Sequence, residues 1–165
     1  MMKRKNLSIL TFVPLLLLAV VSCSNDPVFP LEPRIEFLDI HPKVVTQYQD
    51  SIIIRFRFQD GDGDLGAIEE GDINLRLIDS RVGNGLTETQ ATLAYSIPNL
   101  TPDVKNPSIQ GEIKIKVDFT IVLPGFTEQE IRYQIKFEDR AGNLATPIEE
   151  GVESAVYTDY ITIVR

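Results

Sequence analysis

The run Ser51-Ile-Ile-Ile-Arg-Phe-Arg-Phe58 leaves little freedom of conformation. Ile52, Ile54, Phe56 and Phe58 fall on one side, and Arg55 and Arg57 on the other. A period of two buries one face of an extended strand and wets the opposite face; on a helix the same residues would scatter around the axis. β-Branched and aromatic side chains also suit a pleated surface. The pattern recurs at residues 34–40, 73–78, 92–97, 112–118, 131–137 and 157–164. In the fifth of these seven segments Ile113, Ile115 and Val117 alternate with acid and lysine. No helical periodicity of useful length competes, although residues 128–130 have room for one short helical turn. About seven strands, each with one apolar face, predict an all-β chain: two antiparallel sheets packed as a β-sandwich.

The first 33 residues follow different rules. Met1 to Lys5 is basic, and residues 7–21 are almost wholly apolar. An uncleaved membrane helix needs roughly 20 apolar residues. This stretch is shorter and contains Pro14. It reads instead as a secretion signal over residues 1–22. Val20-Val21-Ser22-Cys23 then resembles the lipobox of bacterial lipoproteins, with Val20 at the aliphatic position, Ser22 as the small residue and Cys23 as the acylated one. The resemblance implies a thioether-linked diacylglycerol on Cys23 and an acylated amino terminus, enough for stable membrane anchoring. Residues 23–33, with three prolines, are expected to be an extended tether reaching roughly 35 Å. The domain itself is expected over residues 34–165.

Charge and rare residues exclude several classes of function. The chain carries a formal charge of −8; without Lys3, Arg4 and Lys5 the balance becomes −11. Such a surface repels nucleic acid and anionic head groups, and attracts cations and basic partners. Cys23 is the single cysteine, so no internal disulfide forms. His41 is the single histidine, at an expected strand end beside Pro42, which leaves no material for a zinc site of several Cys and His and little for a catalytic triad.

The sharpest chemistry lies in Asp60-Gly-Asp-Gly-Asp64. Three carboxylates at alternate positions can curl around one hard cation such as calcium, which takes about 6–8 oxygens. An EF-hand is excluded: counted from Asp60, Leu65 stands where that loop needs glycine, and Gly71 where it needs glutamate. Two readings remain, a calcium loop between strands and a soluble Asp-Gly turn. In a seven-stranded sandwich of immunoglobulin type the loops after the second and sixth strands share one end. Asp139 and Asn143 are then expected near the acidic loop, as further oxygen donors. Arg140 could instead neutralise Asp62 or Asp64. Glu69, Glu70 and Asp72, with Glu149, Glu150 and Glu153, add acid at that end as a solvated face or as extra ligands.

Phe137-Glu-Asp-Arg-Ala-Gly-Asn143 resembles the turn joining the last two strands of bacterial immunoglobulin-like domains. With the lipobox and the acidic loop, the chain resembles small uncharacterised lipoproteins of Bacteroidota. That family implies an immunoglobulin-like sandwich on the cell envelope, at the outer membrane, and no established activity. Asp50-Ser51-Ile52 resembles the O-glycosylation acceptor of such envelope proteins; a serine opening a strand is the simpler reading. The resulting expectation is a membrane-anchored, non-enzymatic binding or scaffold module, calcium-stabilised, with an envelope protein or glycan partner. The alternatives are a structural subunit of an envelope assembly and a carboxylate-dependent glycan hydrolase.

Overall fold

The computed structural model describes residues 28–101, 108–118, 120–149, 151 and 155–165. The signal segment and Cys23 lie outside the described residues. Among the described residues eleven strands and one helical turn follow in chain order: β1 (Arg34–His41), β2 (Val44–Thr46), β3 (Ile52–Asp60), β4 (Leu75–Asp79), α1 (Glu88–Ala91), β5 (Thr92–Tyr95), β6 (Ile109–Val117), β7 (Glu128–Ile131), β8 (Tyr133–Phe137), β9 (Thr146–Pro147), β10 (Val156–Tyr157) and β11 (Ile161–Val164). Among the described residues no helix is long and apolar enough to cross a membrane.

The chain is all-β. Its strands form sheets ordered β6-β3-β1-β9, β10-β8-β4-β5 and β2-β11-β7. Pairing is antiparallel except for two short parallel contacts, β1 with β9 and β2 with β11. The strongest alternation in the sequence builds an inner strand: Ile52, Ile54, Phe56 and Phe58 are buried along β3, between β1 and β6. Across the core Phe56 meets Phe137 of β8 edge to face, with ring centroids 6.1 Å apart. One apolar cluster runs through all three sheets, from Ile35 and Phe56 to Leu77 and Phe137 to Val45, Ile131 and Ile163. Fully burying a side chain of this size stabilises by roughly 1.5–3 kcal/mol.

The alternation predicts seven strands; the structure cuts two of those segments in half. Burial continues through the first cut, since Ile131 and Tyr133 are both buried. The backbone partner changes there. β7 pairs with β11, whereas β8 pairs with β4 and β10. The segment 157–164 divides in the same way, β10 joining β8 and β11 joining β7. A strand crossing from one sheet to the next keeps its side-chain rhythm, so the pattern conceals the corner. Hydrogen bonds between Tyr133 and Thr158 hold this corner, and the Arg132 guanidinium lies 4.3 Å from the Tyr157 ring centroid and 5.2 Å from that of Tyr160. Residues 128–130, with room for a helical turn, are strand because β11 supplies a partner along their whole length. The helical turn forms at α1, where Thr87 and Gln90 make a reciprocal capping box.

A buried ion pair joins these parts. Arg81 holds both carboxylate oxygens of Asp79 and donates to the Ile121 carbonyl and Gln129 Oε1, at 2.8 and 2.9 Å. Arg81→Ala should therefore cost about 3–5 kcal/mol in denaturant unfolding, because Asp79 stays buried without its countercharge. An Asp79→Leu/Arg81→Met double variant should recover much of that loss.

Candidate metal centre

The inward parity that builds the core also places three carboxylates. Asp60 continues the buried series of β3, Asp79 that of β4, and Asp139 that of β8. A buried carboxylate is costly unless charge or hydrogen bonds compensate it. Asp79 has Arg81. Asp139 accepts from the Asn143 backbone N–H at 2.7 Å and from Asn143 Nδ2 at 2.8 Å. Asp60 has less: Oδ2 accepts from the Leu65 N–H at 3.1 Å, while Oδ1 has no partner and the residue is fully shielded from solvent.

Oδ1 of Asp60 is not alone. Oδ1 of Asp62 and Oδ1 of Asp64 are likewise out of solvent and without a partner. One oxygen from each of the three residues lies within 4.8 Å of the others. Among the described residues no lysine, arginine or histidine forms an ion pair with any of them. Burial pushes the Asp60 carboxyl up to about 6, against the pull of its Leu65 hydrogen bond, and the charges of Asp62 and Asp64 add to the rise. Asp64 is also raised, chiefly by burial and then by Asp139 and Asp62; Arg140 opposes this. Three converging acids, Asp60 buried and Asp62 and Asp64 half-buried, repel, and a hard cation converts that repulsion into ligation.

The loops at this end do meet. Arg140 donates its backbone N–H to the Asp64 carbonyl at 3.3 Å. Its guanidinium reaches the carbonyls of Gly63 and Leu65 at 3.3 and 3.5 Å, and Asn99 Oδ1 at 3.4 Å. Arg140 thus grips the backbone behind the carboxylates and forms no ion pair with Asp62 or Asp64. Thr101 Oγ1 adds a hydrogen bond to the Gly63 carbonyl at 3.0 Å. Gly66, at φ +102°, lies so close to Pro98 that a Cβ would overlap its carbonyl. Arginine as a backbone clamp carries no sequence signal. The inward place of Asp60 does carry one, since it is the fifth term of a series beginning at Ile52.

The remaining candidates scatter. Asp139 and Asn143 satisfy each other and lie outside the three-oxygen group, although the charge of Asp139 is felt at Asp64. Asp72 accepts from the Glu69 N–H in a separate turn, with Glu70 exposed beside it. Glu149 is exposed on the rim of an apolar groove lined by Ile35, Phe37 and Val156. Glu150 and Glu153 lie outside the described residues. Ser51 precedes β3, half-buried, and its hydroxyl donates to the Asp118 carbonyl at 3.3 Å. His41 ends β1, exposed, 3.6 Å from Asp39.

No family model matches this chain, and no curated protein matches it. Among solved structures it is similar to a Niemann-Pick type C2 protein from the Japanese carpenter ant, at 12% identity, over 81% of this chain and 93% of that one, with a TM-score of 0.38. A likeness of that strength carries no argument about function.

Without metal, the charge on Asp60 is a net cost at neutral pH. A carboxyl whose folded pKa exceeds its unfolded value loses stability as pH rises through that interval. In chelator at neutral pH, Asp60→Asn should thus melt higher than the unaltered chain, because the amide keeps an oxygen for Leu65 and drops the charge. The advantage should fade as pH falls through about 6, where Asp60 takes up its own proton. Thermal melts of both proteins across that range check this.

Proposed function

We propose that this chain is a lipid-anchored protein of the bacterial cell envelope whose immunoglobulin-like β-sandwich is a calcium-ordered binding or scaffold module. Two observations carry the reading: one carboxylate oxygen from each of Asp60, Asp62 and Asp64 lies within 4.8 Å of the others, and Oδ1 of each residue is shielded from solvent and has no hydrogen-bond partner. A soluble Asp-Gly turn would point these groups at water. Calcium suits three carboxylates in an adaptable loop, with the remaining positions open to carbonyls or water; magnesium favours fewer carboxylates and keeps more of its own water. Asp139, fixed by Asn143, contributes negative charge to the site from just outside it.

The same geometry argues against carbohydrate hydrolysis by these acids. Glycosidase carboxylates flank an open bond and sit about 5–9.5 Å apart. The carboxylates converge within 4.8 Å of one another, and Asp60 is fully buried, which leaves no room for a sugar ring between them. The Cys23 anchor and short tether favour a partner within a few nanometres of the membrane, a protein or glycan of the envelope, and the acidic surface favours one that is basic or bridged by metal. Glycosylation at Ser51 would require the hydroxyl to leave Asp118, and is a secondary part of the proposal.

Calcium in excess over chelator should raise the melting temperature by several degrees, since a hundredfold excess over Kd adds about 2.7 kcal/mol to the folded state. Asp62→Asn should abolish most of the rise, and magnesium at equal concentration should give less of it. An unchanged melting temperature in calcium refutes the site. Cys23→Ala should move the protein from the detergent phase to the aqueous phase on partitioning; continued membrane association would point to an uncleaved helix. Hydrolysis of a polysaccharide, lost on one Asp or Glu substitution, would replace the binding reading with an enzymatic one.

A further inference from the structure

The chain entering the domain lies directly on the acidic loop. Gly61 stands between Asp60 and Asp62, and a Cβ built on it would overlap the carbonyl oxygens of Phe29 and Pro30. No residue with a side chain fits there without displacing that segment. Phe29 and Pro30 are half-buried, whereas Val28, one residue earlier, is almost fully exposed. At the other end of the segment Pro33 is buried, and its carbonyl accepts from the Thr146 N–H at 3.0 Å. Residues 29–33 are thus held at two points, β9 at one end and Gly61 at the other.

The two points differ in kind. The Thr146 bond belongs to the β1–β9 ladder. The Gly61 contact depends on the shape of a five-residue loop whose three carboxylates must converge to hold a cation. Cation binding restricts the backbone on both sides of Gly61, because each of its peptide bonds leads to a ligand. Without a cation, mutual repulsion among the three acids favours a wider loop, and a wider loop moves the surface on which Phe29 and Pro30 rest. We infer that calcium at Asp60, Asp62 and Asp64 clamps the membrane-proximal segment to the domain, so that metal decides whether residues 28–32 belong to the fold or to the tether, Pro33 being held independently by Thr146. The inference rests on the calcium reading above. Releasing these five residues would lengthen the tether by roughly 17 Å. The coupling is reciprocal: a docked segment tightens metal binding by the same factor by which metal tightens docking.

The chain contains no tryptophan, so Phe29→Trp in the full chain installs a single reporter at the contact. Calcium titration should shift its emission to the blue and reduce quenching by acrylamide, with the same midpoint as the thermal stabilisation. Asp62→Asn on that background should lose both responses together. Gly61→Ala should lose the fluorescence response and keep a thermal response whose midpoint moves to higher calcium. Thermal stabilisation with unchanged quenching in the Phe29→Trp protein overturns the clamp and leaves the metal site standing. Absence of thermal stabilisation overturns the site and the clamp with it. Should Gly61→Ala fail to fold, the comparison between the Phe29→Trp protein and its Asp62→Asn variant still decides.

Discussion

Asp60 ends the inner strand β3 on the side that faces the core, and its charge must be reconciled with a space that water does not enter. Much of this end of the molecule is arranged around that requirement. The same problem arises twice more, and the solutions differ. Arg81 answers Asp79 with a full countercharge, and Asn143 answers Asp139 with two N–H groups. Asp60 receives backbone N–H groups of Leu65 and Asp64 on one side and has two further carboxylates as neighbours. A structural role alone is served by the first two arrangements. In the third, like charges at this spacing disfavour one another's ionisation, which either a proton on Asp60 or a cation among the acids relieves.

The framework around the acids is built from backbone contacts. Arg140, Asn99 and Thr101 engage carbonyls of the loop or one another, and Gly66 admits the Pro98 carbonyl. These contacts hold the loop at Gly63 and Gly66, while Gly61, at its other end, rests against the carbonyls of Phe29 and Pro30.

How much of this was legible in the sequence depends on whether the signal was periodic or relational. The strand β3, the inward set on β6 and the all-β class follow from alternation alone. The acidic loop announced itself by composition, and the approach of residues 139–143 followed from assuming a sandwich end. The corners at Arg132 and at residues 158–160 were not legible, because side-chain parity runs through them unbroken while the hydrogen-bonding partner changes. β2 and β9 are too short, at three and two residues, to show any period. Arg140 was visible as a charge near other charges, which suggested an ion pair; its preference for carbonyls is set by where the backbone of the loop passes. The close approach of Phe29 and Pro30 to Gly61 involves segments about thirty residues apart, and a lone glycine in an Asp-Gly run gives no hint of it.

The small sheet β2-β11-β7 has a consequence for the order of events in making the protein. β11 lies between β2, which precedes it by more than a hundred residues, and β7, which precedes it by about thirty. Neither outer strand has its partner until residues 161–164 are available, and Val45 and Ile131 cannot be sealed into the core before then. Contacts of such long range form late. The small sheet is therefore the part of the domain that closes late, after the β1–β3–β6 and β4–β5–β8 pairings have their partners.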